Sequence, residues 1–202
     1  MNICLGISDI DWQATNSIFS ILGTIAAIII SAIGLSTWRR QLQGTNEYEL
    51  AKKIMLLTYE VEQAIQNVRN PMLFLKKEAV ESGNSVQEEQ RIYDERLNFF
   101  YIKWAELQTV KLETKVLWGK LAGESFEDLN KIVGELRAAL WLHFWMKGAF
   151  AGPGAVVDNN PERVRENDKV VYFISDDDDF TLKIKKAIRN IEVFFEQKVR
   201  HK

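Results

Sequence analysis

The sequence contains a single cysteine, Cys4, in 202 residues. One thiol excludes an internal disulfide framework and any zinc site built from several cysteines. Most of the protein therefore needs no oxidising compartment. Cys4 itself is open to two interpretations, an ordinary residue in a short N-terminal tail or a bridge to another chain.

Basic residues are absent from the first 37 positions, whose only charged groups are Asp9 and Asp11. All 26 lysines and arginines come after Thr37, and removing those two aspartates from the 28 acidic residues leaves 26 acids to balance them. The remaining part of the chain is thus formally neutral. It lacks the positive excess that nucleic-acid binding proteins direct at phosphate, so we expect no nucleic-acid partner.

Motifs of known catalytic and phosphate-binding sites are also missing. The chain has no GxxxxGK[ST] loop, GxGxxG turn, GxSxG elbow or HExxH pair. His143, the only histidine within a predicted helix, has no ExxH partner and is interpreted as a buried or interfacial structural residue rather than a base or metal ligand. We predict that the protein is not an enzyme and has no catalytic residues, cofactor or metal site.

One long uncharged run is present. Residues 18–38 read IFSILGTIAAIIISAIGLSTW, 21 residues that as a helix rising about 1.5 Å per residue cover a hydrocarbon core of roughly 30 Å. A single segment in lipid has to satisfy its backbone hydrogen bonds internally, so the run predicts a transmembrane helix with the lipid bilayer as its partner. Trp12 and Trp38 lie near the two expected interfaces, where indole rings are favoured.

Charge predicts the orientation of this helix. Arg39 and Arg40 follow the span at once, whereas the preceding tail, residues 1–17, carries only acidic groups. The positive-inside rule places that tail outside the cytoplasm and residues 39–202 inside, in a single-pass protein of a bacterial inner (plasma) membrane. A cleaved signal peptide is the alternative, but the basic n-region is missing and the two arginines resemble a stop-transfer flank.

Small residues recur on one face of the predicted span. Gly23, Ala27 and Ser31 are spaced every four residues, and such a stripe lets two helix backbones approach closely. Small residues are also common in membrane helices that have no such role. The hypothesis is a homo-oligomer that self-associates through these three residues.

Helical spacing of apolar residues continues beyond the span. It predicts a helix over residues 50–68 that ends at Asn70-Pro71, where proline disfavours continuation. A second long helix is predicted over residues 86–121, with coiled-coil-like steps of four and three that bury it against other helices. Its seam comprises Tyr93, Leu97, Phe100, Trp104, Leu107, Val110, Thr114, Leu117 and Leu121.

Two further helices are predicted towards the C-terminus. Ser125 has the properties of an N-cap for a third helix, whose stripe comprises Phe126, Leu129, Val133, Leu136, Leu140 and Phe144. The last helix runs to about Arg200 and is marked by Phe180, Ile184, Ile188, Ile191 and Phe195. Residues 170–174 are interpreted as a packed loop, because one strand cannot form a sheet alone.

Two side-chain clusters invite functional interpretations. The four aspartates at residues 176–179 are predicted to cap the last helix rather than bind a cation, because no glycine pivot or EF-hand spacing accompanies them. Trp104 falls on the predicted core seam. Trp141 and Trp145 lie off the main stripe of the third helix, so they are open to core packing or to a partner surface, where tryptophan is favoured.

The architecture predicted from these patterns is all-α, a single N-terminal transmembrane helix followed by a cytoplasmic antiparallel helical bundle. About four helices are joined by loops near residues 82–85, 122–125 and 151–179. The first function hypothesis is a membrane-anchored interaction, scaffold or accessory protein with a cytoplasmic protein partner. The second is a membrane-perturbing effector of the toxin or phage-defence type, acting through an oligomerised anchor. The third is a metal-dependent enzyme that gathers carboxylates inside the bundle.

Overall fold

The computed structural model describes residues 12–150 and 160–200. All regular structure in these two ranges is helical, without a strand, which confirms the all-α prediction. The helices are α1 Trp12–Val68, α2 Lys77–Glu81, α3 Ser85–Trp118, α4 Lys120–Glu124, α5 Glu127–Met146, α6 Pro161–Val171 and α7 Asp179–Arg200. Cys4, Asp9 and Asp11 lie outside the described residues, as does most of the tail predicted before the span.

The chain divides into two units, Met1–Asn46 and Glu47–Lys202. In the first unit, the described residues belong to α1 and every large apolar side chain of the span is exposed. By length and composition α1 is the one helix among the described residues that is suited to crossing a membrane, and none of its apolar window is buried. The predicted apolar N-terminal helix of spanning length is thereby confirmed.

In the second unit, α1 contributes a buried face before it ends. Ile54, Val61, Ile65 and Val68 are buried, with the spacing that the sequence predicted. The helix ends at Val68, just before Asn70-Pro71, because proline disfavours a helical conformation of the residue that precedes it. The predicted end of this helix is correct.

Helix α3 is shorter than the sequence pattern predicted. It stops at Trp118 because Gly119 has φ 78° and ψ −162°, a conformation that is essentially restricted to glycine. The short helix α4 follows the break. Leu117 and Leu121 are exposed, so their assignment to the buried seam was wrong; the inward line of α3 continues instead from Thr114 to Trp118, which is partly buried against the core. The seam members that are buried are Tyr93, Phe100, Leu107, Val110 and Thr114, while Leu97 and Trp104 are partly buried against the core.

Helix α5 starts later than predicted, and Ser125 is not its N-cap. The Ser125 hydroxyl donates backward to the Ala122 carbonyl at 2.9 Å, and the cap position belongs to Phe126, which makes no side-chain cap bond. The ring of Phe126 is buried and lies 5.8 Å from that of Phe195. The predicted stripe of α5 is buried throughout, so the apolar pattern was correct where the capping signal was not.

Helix α6 occupies a stretch that the sequence analysis assigned to a loop. Asn160 caps it by accepting a hydrogen bond from the Glu162 amide at 3.0 Å, and Pro161 starts its first turn. Its inward side is secured by Asn167, whose side-chain amide donates to the Ala139 carbonyl of α5 at 3.0 Å. The loop prediction for residues 161–171 was therefore wrong.

Helix α7 completes the core of the second unit. All five of its predicted core residues are buried. Phe195 receives the edge of Trp118 at 5.5 Å and also contacts Phe126 and Phe194. The C-terminal helix therefore closes the core between the end of α3 and the start of α5.

Candidate functional site

The small-residue stripe of the predicted anchor lies on an open face of α1. A Cβ atom built on Gly23 would meet nothing within 4 Å. Ser31 donates its hydroxyl to the Ala27 carbonyl at 2.7 Å, and Thr24 donates to Ser20 at 2.8 Å. These hydroxyls are satisfied within their own helix, so the face needs no polar partner in lipid.

The predicted interface anchors are all exposed. Trp12 and Trp38 are exposed near the two ends of the apolar run, and Arg39 and Arg40 follow it directly in helical conformation. Their side chains are thus accessible to headgroups, as the sequence prediction requires. Membrane residence and orientation stay predictions.

Three aromatic rings stack on the outer side of α5 and the turn that follows. Trp141 lies 6.4 Å from Trp145 and 6.3 Å from Phe150, with the ring planes 16° and 15° from parallel. Trp141 is 59% exposed and Phe150 50% exposed, whereas Trp145 is partly buried. We call these three residues the aromatic face. Sequence reasoning identified both tryptophans but not Phe150, which follows the end of the periodic pattern.

His143 belongs to a buried ionic cluster that sequence reasoning missed. Its Nε2 lies 2.9 Å from Oε1 of Glu89, and Lys147 donates to both oxygens of that carboxylate at 2.7 and 2.6 Å. A carboxylate only accepts hydrogen bonds, so Nε2 carries the proton. Asp168 of α6 lies 3.8 Å from the other ring nitrogen. We call these four residues the histidine cluster.

The histidine cluster joins three helices, α3, α5 and α6. Burial disfavours ionisation of Glu89, but the hydrogen bonds from His143 and Lys147 outweigh it and lower the pKa of Glu89 below its ordinary value. Both oxygens of the Glu89 carboxylate thus have hydrogen-bond partners, Lys147 on each and His143 on one. His143 is buried, which is one of the two alternatives that the sequence analysis gave for it, and its structural role stays a prediction.

Two tyrosines lie against the same cluster. The ring centroid of Tyr93 is 6.0 Å from that of His143, and Tyr172 meets His143 edge-on at 5.6 Å. The Tyr93 hydroxyl is the one buried side-chain polar atom of the described residues without a hydrogen-bond partner. Burial, followed by the neighbouring Tyr172 and Glu89, raises the pKa of Tyr93, and burial raises that of Tyr172 to about 12.

A second buried centre forms around Arg69, just after α1. Its guanidinium donates to Asp178 at 3.1 Å, to the Thr181 hydroxyl at 2.7 Å and to three backbone carbonyls between 2.8 and 3.1 Å. The Phe173 amide returns a hydrogen bond to the Arg69 carbonyl at 2.7 Å. Arg69 is fully buried, so this network secures the end of α1 to the end of α6, to the segment that follows it and to the start of α7.

The aspartate run acts as a helix start. Asp178 accepts from the Thr181 amide at 2.7 Å and from the Thr181 hydroxyl at 2.9 Å, which is the geometry of a capping side chain. Burial opposes its ionisation, but these bonds and Arg69 lower the pKa of Asp178 to about 2. Asp176 instead pairs with Lys185 at 3.0 Å. No group of three or more potential metal ligands occurs in residues 12–150 and 160–200.

An open groove runs between α1 and α3 in the second unit. Its larger part measures about 560 Å³ and is lined by one face of α1, including Lys53 and Leu57, and by Glu113 of α3. A smaller part of about 240 Å³ continues from the same two α1 residues to Glu106 and Thr109. Apolar side chains and charged side chains of both signs line this groove.

Comparisons of this chain with protein-family profiles, with curated proteins and with solved structures give no match. A proposal of function therefore rests on the residues and the geometry described above.

Proposed function

We propose that this protein is a single-span, membrane-anchored helical interaction module, a scaffold or accessory component whose antiparallel helical bundle lies in the cytoplasm. The observation that carries this proposal is the aromatic face of α5. Its inner side is already filled by the buried stripe, so the exposed rings add nothing to the core. Large exposed rings held in a stack are typical of binding hot spots.

The aromatic face is suited to a protein partner. Its rings are stacked before any partner arrives, which reduces the side-chain entropy lost on binding. Arg137 is exposed one turn before Trp141. The fitting partner is therefore a cytoplasmic protein with an apolar pocket and an acidic rim.

Two double variants test this function in cells. The first removes the outer rings (Trp141→Ala with Phe150→Ala), and the second removes two exposed apolar side chains elsewhere (Ile174→Ala with Leu182→Ala). After mild crosslinking of the full chain in membranes, we expect the first variant to lose a specific co-purifying protein that the wild type and the second variant retain. Identical sets of captured proteins in all three preparations would contradict the proposal.

The second candidate is a membrane-perturbing effector. It is favoured by one observation, the open small-residue face whose hydroxyls are satisfied within α1. Expression of the full chain should then collapse the membrane potential, and Gly23→Ile with Ala27→Ile should restore it. An interaction module leaves the potential unchanged in both cases.

A further inference from the structure

Helix α3 carries a second apolar line on the side opposite its buried seam. Val116 is 88% exposed, Leu112 64% and Ile102 50%, and Ala105 and Thr109 are exposed between them. These five residues follow steps of three, four, three and four along the helix. We call them the outer seam.

The spacing of the outer seam is that of a coiled-coil interface. Alternating steps of three and four keep one line of residues facing a second helix over two heptads. The seam runs over the 15 residues 102–116, whose 14 steps of about 1.5 Å cover about 21 Å of helix. Four apolar residues and one threonine aligned over this length of an exposed helix indicate an association surface rather than scattered surface residues.

The residue types within the seam indicate how many helices meet. Ile102, Thr109 and Val116 occupy the a positions and are all β-branched, while Leu112 occupies a d position. β-Branched residues at a with leucine at d favour two parallel strands. The Thr109 hydroxyl donates to the Ala105 carbonyl at 2.9 Å, so the polar residue needs no partner inside a dry seam.

The flanking charges favour the parallel arrangement. Glu106 and Glu113 lie on the e side of the outer seam, and Gln108 and Lys115 lie on the g side. In a parallel pair e meets g, so Glu113 of one helix faces Gln108 of the other. An antiparallel pair would bring the glutamate edges together, and like charges at that position oppose association.

We propose that the outer seam of α3 is a homodimer interface, occupied by the same seam of a second copy of this chain in parallel register. A two-fold interface uses the same patch on both copies, and this patch matches itself in spacing, in residue types and in the absence of opposed like charges. The interface is distinct from both the aromatic face and the small-residue stripe of the anchor. The proposed homodimer does not depend on whether another protein binds the aromatic face.

Site-specific disulfide formation tests the proposal in the full chain. The background is Cys4→Ser, which removes the only native thiol. Leu112→Cys and Val116→Cys place thiols within the seam, and Lys131→Cys on the exposed side of α5 is the matched control. In a parallel pair, the same position of each copy comes within disulfide reach, so oxidation of membrane vesicles should give a dimer band with both seam variants but not with the control.

Other results of that experiment overturn the proposal. If the copies associate through the anchor alone, the two seam variants will form no more dimer than Lys131→Cys. If the helices are antiparallel, a positions of one copy face d positions of the other, so a mixture of Ala105→Cys and Val116→Cys chains will crosslink, while each variant alone will not.

A complementary change disrupts the seam without touching the core. Leu112→Lys with Val116→Lys introduces charges at exposed positions, so the monomer fold is retained while the dimer is lost. Leu182→Lys, which introduces a charge at an exposed position of α7, should leave the dimer intact. The aromatic-face variant should also stay dimeric, which separates a failure of this interface from a failure of the proposed function.

Discussion

The predicted anchor segment and the two buried polar centres of the helical unit satisfy their polar side chains in opposite ways. In the anchor, Ser17, Thr24 and Ser31 each donate to the carbonyl four residues earlier. In the unit Glu47–Lys202, Arg69 reaches partners 100 or more residues away, and His143 reaches Glu89 across 54 residues. Local bonds survive transfer to lipid, whereas long-range bonds exist only when the whole unit is folded.

The sharpest test of this contrast is removal of the longest-range donor. Arg69→Ala leaves Asp178 buried without its cation and removes the side-chain donor from three carbonyls. Breaking a buried ion pair by removing one partner costs about 3–5 kcal/mol. We expect a loss of that size in the free energy of unfolding, measured by denaturant titration of the detergent-solubilised chain. Arg189→Ala, which removes an exposed cation, should cost less than about 1 kcal/mol, and equal losses would refute the distinction.

A charge placed in the span tests whether membrane residence depends on its apolar residues. Ile28 lies at the middle of the apolar run, where an aspartate raises the free energy of membrane insertion by about 2.5–3.5 kcal/mol. Ile28→Asp should therefore shift the chain from the carbonate-resistant membrane fraction to the soluble fraction. Ser31→Ala removes only a bond within the helix and should leave the membrane fraction unchanged. If both variants stay fully membrane-bound, the span does not depend on its apolarity.

Acid should weaken the Arg69 centre, because protonation of Asp178 removes the negative charge that Arg69 pairs with. Its pKa is lowered in the folded state, so the stability it contributes is present above its ordinary value near 4 and is lost as the pH falls towards about 2. A shift of nearly two pKa units corresponds to about 2 kcal/mol. We expect Asp178→Asn to be less stable near pH 7 and to lack most of this acid-dependent loss between pH 4 and 2. Asp176→Asn, whose carboxylate is exposed, should keep the wild-type profile.

The smallest effect is expected at the unpaired hydroxyl. Tyr93→Phe removes a buried group that makes no hydrogen bond and keeps the ring that packs on Phe144 at 5.4 Å. Because no bond is lost and one desolvated polar atom disappears, the free energy of unfolding should stay equal or rise by up to about 1 kcal/mol. A loss above about 1 kcal/mol in the same titration would mean that the hydroxyl is bonded in the folded protein.

Apolar periodicity predicted the helices whose burial repeats along the chain. The end of α1 at Asn70-Pro71, the stripe of α5 and the five core residues of α7 all agree with the structure. The failures have local causes. Gly119 interrupts α3 where the apolar spacing continued, and α6 was missed because its mostly polar sequence hid the cap formed by Asn160, Pro161 and Glu162.

The candidate sites were less accessible to prediction. Trp141 and Trp145 were identified from their position off the stripe, but their stacking with Phe150 depends on the turn after α5. Glu89 and Asp168 had no spacing signal that linked them to His143, because they come from two other helices, α3 and α6. The outer seam was concealed because the same helix also carries the buried seam.

The sequence alone determined that the protein is helical and that its N-terminal helix has the length and composition to cross a membrane. Both properties depend on residues that are near one another along the chain, through propensity, periodicity and uncharged length. Only the tertiary structure decided which of the two apolar lines on α3 is buried and which carboxylates receive a cation. Those outcomes depend on where distant helices meet, and no local pattern records that position.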